Sequence, residues 1–262
     1  MGIDRARLLA AYDEQLRGPS AADRLPSSVD GPLVRVEYPR RGAIRYRSLA
    51  GIEGAELDAL IIRQRDFFAG KGKAVEWAVR SHDLPADLST RLQGAGFVPE
   101  DSETIVIAES SAIVAALGRP ALPQGVVIRH TDQPADFERI ARLESEVWDE
   151  DWSWLAAELA DQVAAEPGLV DVYVAEADAH VVSAAWSVHV PGTDFTGLWG
   201  GSTLAAWRRK GLYKALVAVR AARAVERGCR YLNVDASDDS RPILQRLGFV
   251  AVTTSTPYVF TP

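Results

Sequence analysis

With 262 residues, the chain has room for two domains of about 100 to 200 residues each. Its net charge of −7 lacks the positive excess that phosphate-backbone binding needs, which argues against a nucleic-acid partner. Cys229 is the only cysteine, so a disulfide framework and a zinc site of several thiolates are excluded, and no run reaches the roughly 18 apolar residues of a membrane span. A protein of a reducing cytoplasm is expected.

In chain order, Met1 to Arg17 mixes leucines and alanines with Asp4, Arg5, Arg7, Asp13 and Glu14, which predicts an amphipathic helix and not a secretory signal. Val75–Val79 reads as a strand, Asp87–Gln93 as a short helix and Thr104–Ala108 as a strand. The segment Gly118 to Gly125, with two prolines and two glycines, reads as a linker. Beyond it come a strand at Val126–Arg129 and a helix marked by Phe137, Ile140, Ala141, Val147 and Trp148. A second helix is expected from a Ser153 cap to about Ala165, stopped by Pro167 and Gly168.

Three strand-like runs follow at Val170–Ala177, Val181–Val190 and Phe195–Thr203, an antiparallel meander. A long helix runs from Gly211 to Arg227 with Gly228 as its stop, followed by a strand at Tyr231–Asp235. Pro242 opens a short helix to Leu247, and Val250–Phe260 alternates like a final strand or hairpin. Superposing the Gly-Phe pairs of Arg91–Val98 and Leu244–Val250 suggests two copies of one unit, with chance recurrence as the alternative. The expected layout is 1–117, a linker at 118–125 and a second domain at 126–262.

The stretch that carries chemistry is Phe195–Val217: a strand, then Arg208-Arg209-Lys210-Gly211, then a helix. A helix start offers unbonded amides and the positive end of the dipole to phosphate oxygens, and glycine lets the backbone come close. A charged surface loop is the alternative reading of the same letters.

Here the sequence resembles the GNAT superfamily of N-acetyltransferases, whose Q/R-x-x-G-x-G/A motif appears as Arg208 to Tyr213, with Tyr213 departing from the small last residue. The resemblance implies an α/β (α+β) fold of two GNAT-like domains, each a mixed, mostly antiparallel sheet flanked by helices. The second would be catalytic, and the first a degenerate copy with no such loop between Ser48 and Leu57. It implies that Arg209, Lys210, Gly211, Leu212, Tyr213 and Lys214 hold the pyrophosphate of acetyl-CoA, with Arg208 opening the motif. Gly201, Ser202 and Thr203 would then lie beside the pantetheine arm. Ser237 and Leu244 map onto the family's Asn and Tyr, and both are departures.

The implied reaction is direct attack of an amine on the thioester, without a metal or a covalent nucleophile. An amine of pKa about 10.4 is about 4.6 kcal/mol from its neutral form at pH 7, so a base should matter. Glu146, Asp149, Glu150, Asp151 and Asp235 are candidates, with Glu146 preferred and Tyr258 as a stand-in acid. His130 and His189 lack partner motifs and are left as ordinary hydrogen-bonding residues. Trp148, Asp149 and Trp152 form a candidate acceptor site for a cationic amine, against the plainer reading of core tryptophans and surface acids. The expected partners are acyl-CoA and a small-molecule or peptide amine, with a homodimer left open. A non-catalytic acyl-CoA sensor is the rival function, and a front domain serving as partner module or lid is a third reading.

Overall fold

The protein, described here by a computed structural model, is defined over residues 4–18, 25–166 and 168–262. Its first elements are α1 (Arg5–Gln15), β1 (Ser27–Asp30), β2 (Leu33–Glu37), β3 (Gly42–Arg45), α2 (Gly54–Ala69), β4 (Val75–Arg80), α3 (Leu88–Gly94), β5 (Val98–Pro99) and β6 (Glu103–Glu109). Then come α4 (Ser110–Leu117), β7 (Val126–Thr131), α5 (Pro134–Trp148), α6 (Leu155–Ala165), β8 (Val170–Ala177), β9 (His180–His189) and β10 (Phe195–Thr203). A 3-10 turn at Ala205–Trp207 leads to α7 (Leu212–Glu226), β11 (Tyr231–Ala236), α8 (Arg241–Arg246) and β12 (Val250–Phe260). Among the described residues no helix is long and apolar enough to cross a membrane.

The chain forms two compact units. The first comprises Met1–Val106, Asp235–Gln245 and Val250–Pro262, and the second comprises Ile107–Val234 and Arg246–Phe249. This division departs from the expected one at three places: Ile107–Leu117, with α4, joins the second unit, while Val250–Pro262, with β12, and Asp235–Gln245, with most of α8, join the first. The reason for the second departure is hydrogen bonding, since Ser255–Phe260 of β12 pair antiparallel with Val75–Arg80 of β4. Alternation along Val250–Phe260 identifies a strand but carries no information about its neighbour.

In the first unit β1, β2 and β3 form an antiparallel meander, β3 runs parallel to β4, and β12 pairs with both β4 and β5. Its core gathers Leu57, Leu60, Ile61 and Phe68 of α2 with Trp77, Phe97 and Tyr258. These α2 residues recur at three- and four-residue steps, the spacing that lines one helix face.

In the second unit β7, β8, β9 and β10 form an antiparallel sheet, and β10 runs parallel to β11. One face is covered by Phe137, Ile140, Leu155 and Leu159 of α5 and α6, the other by Leu212 and Leu216 of α7. The linker stretch 118–125 is neither helix nor strand. The start of α6 differs from expectation. Its N-cap position is Trp154, which makes no capping hydrogen bond to the first turn, while Ser153 donates its own amide to Asp151. Pro167, the expected stop of that helix, lies outside the described residues.

In both units an antiparallel meander is followed by a helix and a parallel strand, the parallel pairs being Gly42–Ile44 with Val75–Trp77 and Phe195–Gly197 with Tyr231–Asn233. Gly96 and Gly248 both have positive φ, 93° and 106°. Each is followed by a buried phenylalanine, Phe97 or Phe249.

Candidate active site

The sequence G-G at 200–201 places two glycines in the middle of β10, where they break its ladder with β9. Gly200 pairs with Ala185 and Ser202 with the next residue, Ala184, so Gly201 is the extra residue of a bulge. Glycine is required at both positions. Their φ values are 65° and 94°. A Cβ on Gly200 would lie 2.4 Å from the Trp186 ring, and one on Gly201 2.8 Å from the Tyr213 ring. Past Gly197 and Asn233, β10 has no register partner in β11. The Asn233 Oδ1 beside that break is buried and lacks a hydrogen-bond partner.

The loop after β10 ends at Gly211, which takes φ 86° as the N-cap of α7 without a side-chain cap. Arg209 is also left-handed, with φ 62°. The amides of Arg209, Lys210 and Gly211 have no hydrogen-bond acceptor among the described residues. They lie in an exposed turn with the Arg208, Arg209 and Lys210 side chains. Arg208 Nε donates to the Thr203 carbonyl at 3.1 Å, and Lys210 Nζ sits 4.6 Å from the Trp207 ring centre. This combination of bare amides, helix dipole and three cations suits an anion. Lys214 is exposed one step into the helix, Leu212 is buried beneath it, and the half-buried Tyr213 has its hydroxyl pKa raised by burial, with Arg220 opposing.

A carboxylate stands against the bulge, and it is not the expected one. Glu146 is exposed on α5, whereas Glu144 is 2% exposed on the same helix. Ser202 Oγ donates to Glu144 Oε2 at 2.5 Å, and Trp148 Nε1 donates to the same oxygen at 3.0 Å. Glu144 Oε1 is buried with no partner. Burial raises the Glu144 pKa above the ordinary carboxylate range, and the bonds from Ser202 and Trp148 oppose that rise. The signal was present in the sequence. Phe137, Ile140, Ala141 and Glu144 follow the three- and four-residue steps of the buried stripe of α5.

Trp148 is 52% exposed and Trp199 is 51% exposed. Asp149 is exposed and closes α5 in a left-handed conformation, φ 55°. Trp152 stacks on Trp154 at 5.1 Å and packs against the core of the second unit, so it follows the plainer reading made from sequence. Glu150 and Asp151 are exposed in the joint.

Four residues singled out from sequence fall in the first unit. Tyr258 is 7% exposed, opposite Trp77 in the β4–β12 ladder, and is a core residue there. Ser237 accepts from the Ser240 amide at 3.3 Å and so caps the turn that opens α8, on which Leu244 is buried. Asp235, near the end of β11, is exposed to solvent. His189 bonds Asp171 at 2.8 Å and Thr196 at 2.9 Å, and His130 lies 3.2 Å from Asp171. Both histidines are thus hydrogen-bonding or ion-pair partners within the fold.

Residues 135–249 match the acetyltransferase (GNAT) family model. No curated protein matches the chain by sequence. Among solved structures, a GCN5-related N-acetyltransferase from Kribbella flavida is similar at 19% identity and TM-score 0.68, over 100% of this chain and 97% of that one. A tandem GNAT protein from the clavulanic acid biosynthesis pathway is similar at 14% identity and TM-score 0.64, over 99% and 96%. A GCN5-related N-acetyltransferase from Sphaerobacter thermophilus is similar at 14% identity and TM-score 0.59, over 87% and 76%. At these identities the likeness is one of fold.

Proposed function

We propose, from the premise that residues 135–249 are a GNAT-family acetyltransferase domain, that this protein moves an acetyl group from acetyl-CoA to an amine. The observation that carries the reading is the pairing, in one unit, of a glycine bulge with a buried carboxylate whose free oxygen has no partner. The bare amides before and at the start of α7 would hold the diphosphate of the cosubstrate. The break between β10 and β11 would admit its pantetheine arm, and the extra residue Gly201 would offer backbone hydrogen bonding near the thioester.

The reaction then needs two things from the protein. As the amine nitrogen attacks the thioester carbon, the carbonyl oxygen becomes negative, and a preorganised amide there lowers the barrier. The amine also sheds a proton, which Glu144 takes directly or through a water. The C–N bond forms, the C–S bond breaks, and the sulfur leaves with its electron pair. A thiol of pKa about 8.5 is an acceptable leaving group near neutral pH, so the leucine at 244 need not be fatal. Half-exposed Trp148, whose indole bonds the carboxylate, favours an acceptor with a flat or cationic group.

The first unit is, in this reading, a copy that has lost its cofactor site. At the mouth of α2 the acids Glu53 and Glu56 replace the three cations that precede α7, which disfavours phosphate. The experiment is release of free thiol from acetyl-CoA and longer acyl-CoA thioesters against a panel of amines. Turnover with acetyl-CoA is expected. Tight binding of acetyl-CoA with no thiol release for any amine would establish a sensor in its place.

A further inference from the structure

Among the described residues Arg220 is the most deeply buried cation of the second unit, and its contacts include no carboxylate. It is 2% exposed in the middle of α7, and its guanidinium meets only backbone oxygens. Nε donates to the Leu216 carbonyl at 3.0 Å, one turn back in its own helix. Nη1 bridges the carbonyls of Trp186 at 3.2 Å and Trp199 at 3.0 Å. Those two residues are a cross-strand pair, one register position ahead of the Gly200–Ala185 pair that borders the bulge. Nη2 makes no hydrogen bond among the described residues.

A buried, unpaired cation is costly, and an apolar side chain of similar volume is often neutral or more stable in such a place. Burial lowers the Arg220 pKa to about 10, with Tyr213 and Tyr173 opposing, so the group remains charged at neutral pH. Stability alone therefore does not account for it. Its location does offer an account. The bonded Trp199 carbonyl belongs to the peptide that enters Gly200, so the guanidinium fixes the plane of that peptide. The same helix begins at the exposed amides of the 208–211 turn, about 13 Å away at the rise of an α-helix.

We propose that Arg220 is a positioning residue for acyl transfer, holding the bulge in register with the start of α7 and placing an uncompensated positive charge behind the peptide next to the reacting carbonyl. It touches neither substrate nor cosubstrate. Its charge favours the negative oxygen that forms when the amine adds, and has little to favour in the neutral thioester. The inference rests on the acetyl-transfer reading.

The test uses the full chain with Arg220→Met, Arg220→Gln and Arg220→Lys, measuring kcat, KM for acetyl-CoA and Tm. Expected for Arg220→Met is a fall in kcat of about 10²-fold, the size seen when one oxyanion-stabilising group is lost. KM should stay within about twofold and Tm should be unchanged or raised. Arg220→Lys should recover about tenfold of the loss, because charge remains. Arg220→Gln serves as the neutral variant if the methionine protein does not fold. Unchanged kcat in a folded neutral variant, or equal losses in Lys and neutral variants that track a fall in Tm, overturns the proposal. Wild-type protein that releases no thiol overturns both this inference and the reading beneath it, whereas wild-type turnover with an unaffected Arg220→Met overturns the inference alone.

Discussion

At the scale of single residues, Glu144 and Glu146 differ by two positions on one helix and by everything a catalytic base needs. Glu144 is buried, accepts two hydrogen bonds on one oxygen and keeps the other oxygen free; Glu146 is in solvent. Replacing Glu144 by Gln should lower kcat/KM by about 10² to 10⁴, while Glu146→Gln should stay close to wild type. The pH profile supplies a second readout. Burial raises the Glu144 pKa, so the acid limb of kcat/KM lies above the ordinary value of about 4.3 and disappears in Glu144→Gln. The sign for stability follows from the same shift. The folded carboxyl holds its proton more tightly than the unfolded one, so its contribution is fully present below the unfolded pKa and is lost as pH rises through the folded pKa. A wild-type profile with no such limb, or one retained in Glu144→Gln, would assign the base elsewhere.

At the scale of elements, the proposed chemistry depends on one strand being irregular. The bulge in β10 is held by two glycines at positive φ, with Trp186 and Tyr213 standing where side chains would go. Gly201→Ala carries two separable penalties, a left-handed backbone that costs about 1–2 kcal/mol for an L-residue and a contact of 2.8 Å with the Tyr213 ring. Removing the ring by Tyr213→Ala should relieve the second and leave the first. In a denaturation series the double variant should therefore lose less stability than the sum of the singles, with kcat/KM still impaired because the bulge is distorted. Additive losses would mean that the ring yields without cost.

The same strand shows what could be read beforehand. β8 and β10 fall on their expected bounds because alternation and turn residues mark both ends of each. The R-R-K-G turn marked the helix mouth, with a charged surface loop as the other reading of those letters, and Gly200 and Gly201 suit the bulge that the GNAT resemblance implies in this strand. Glu144 was passed over although it continues the stripe Phe137, Ile140, Ala141, because a carboxylate is ordinarily taken as solvent-facing and burial is a property of the packed helix. Arg220 was invisible for the same reason. Two of its three partners are backbone carbonyls on β9 and β10, and no spacing in the chain encodes them.

At the scale of the whole molecule, the C-terminal strand determines what can be cut. A division at the 118–125 linker looks natural from composition, but it would separate β12 from β4, to which Ser255–Phe260 are hydrogen-bonded. A fragment of residues 118–262 would carry β12 with no β4 to pair it, exposing an open strand edge and the otherwise buried Tyr258 ring. The complementary fragment 1–117 would lose the strand that packs Tyr258 against the core containing Trp77 and Leu92. Each fragment alone should therefore aggregate or remain in inclusion bodies, as followed by size-exclusion chromatography. Co-expression of the two should return soluble material containing both, because β12 then regains its partner. A soluble, monodisperse 118–262 fragment with wild-type turnover would show that the β4–β12 ladder is dispensable, and that the second half folds without the register that ties its last strand to the first unit.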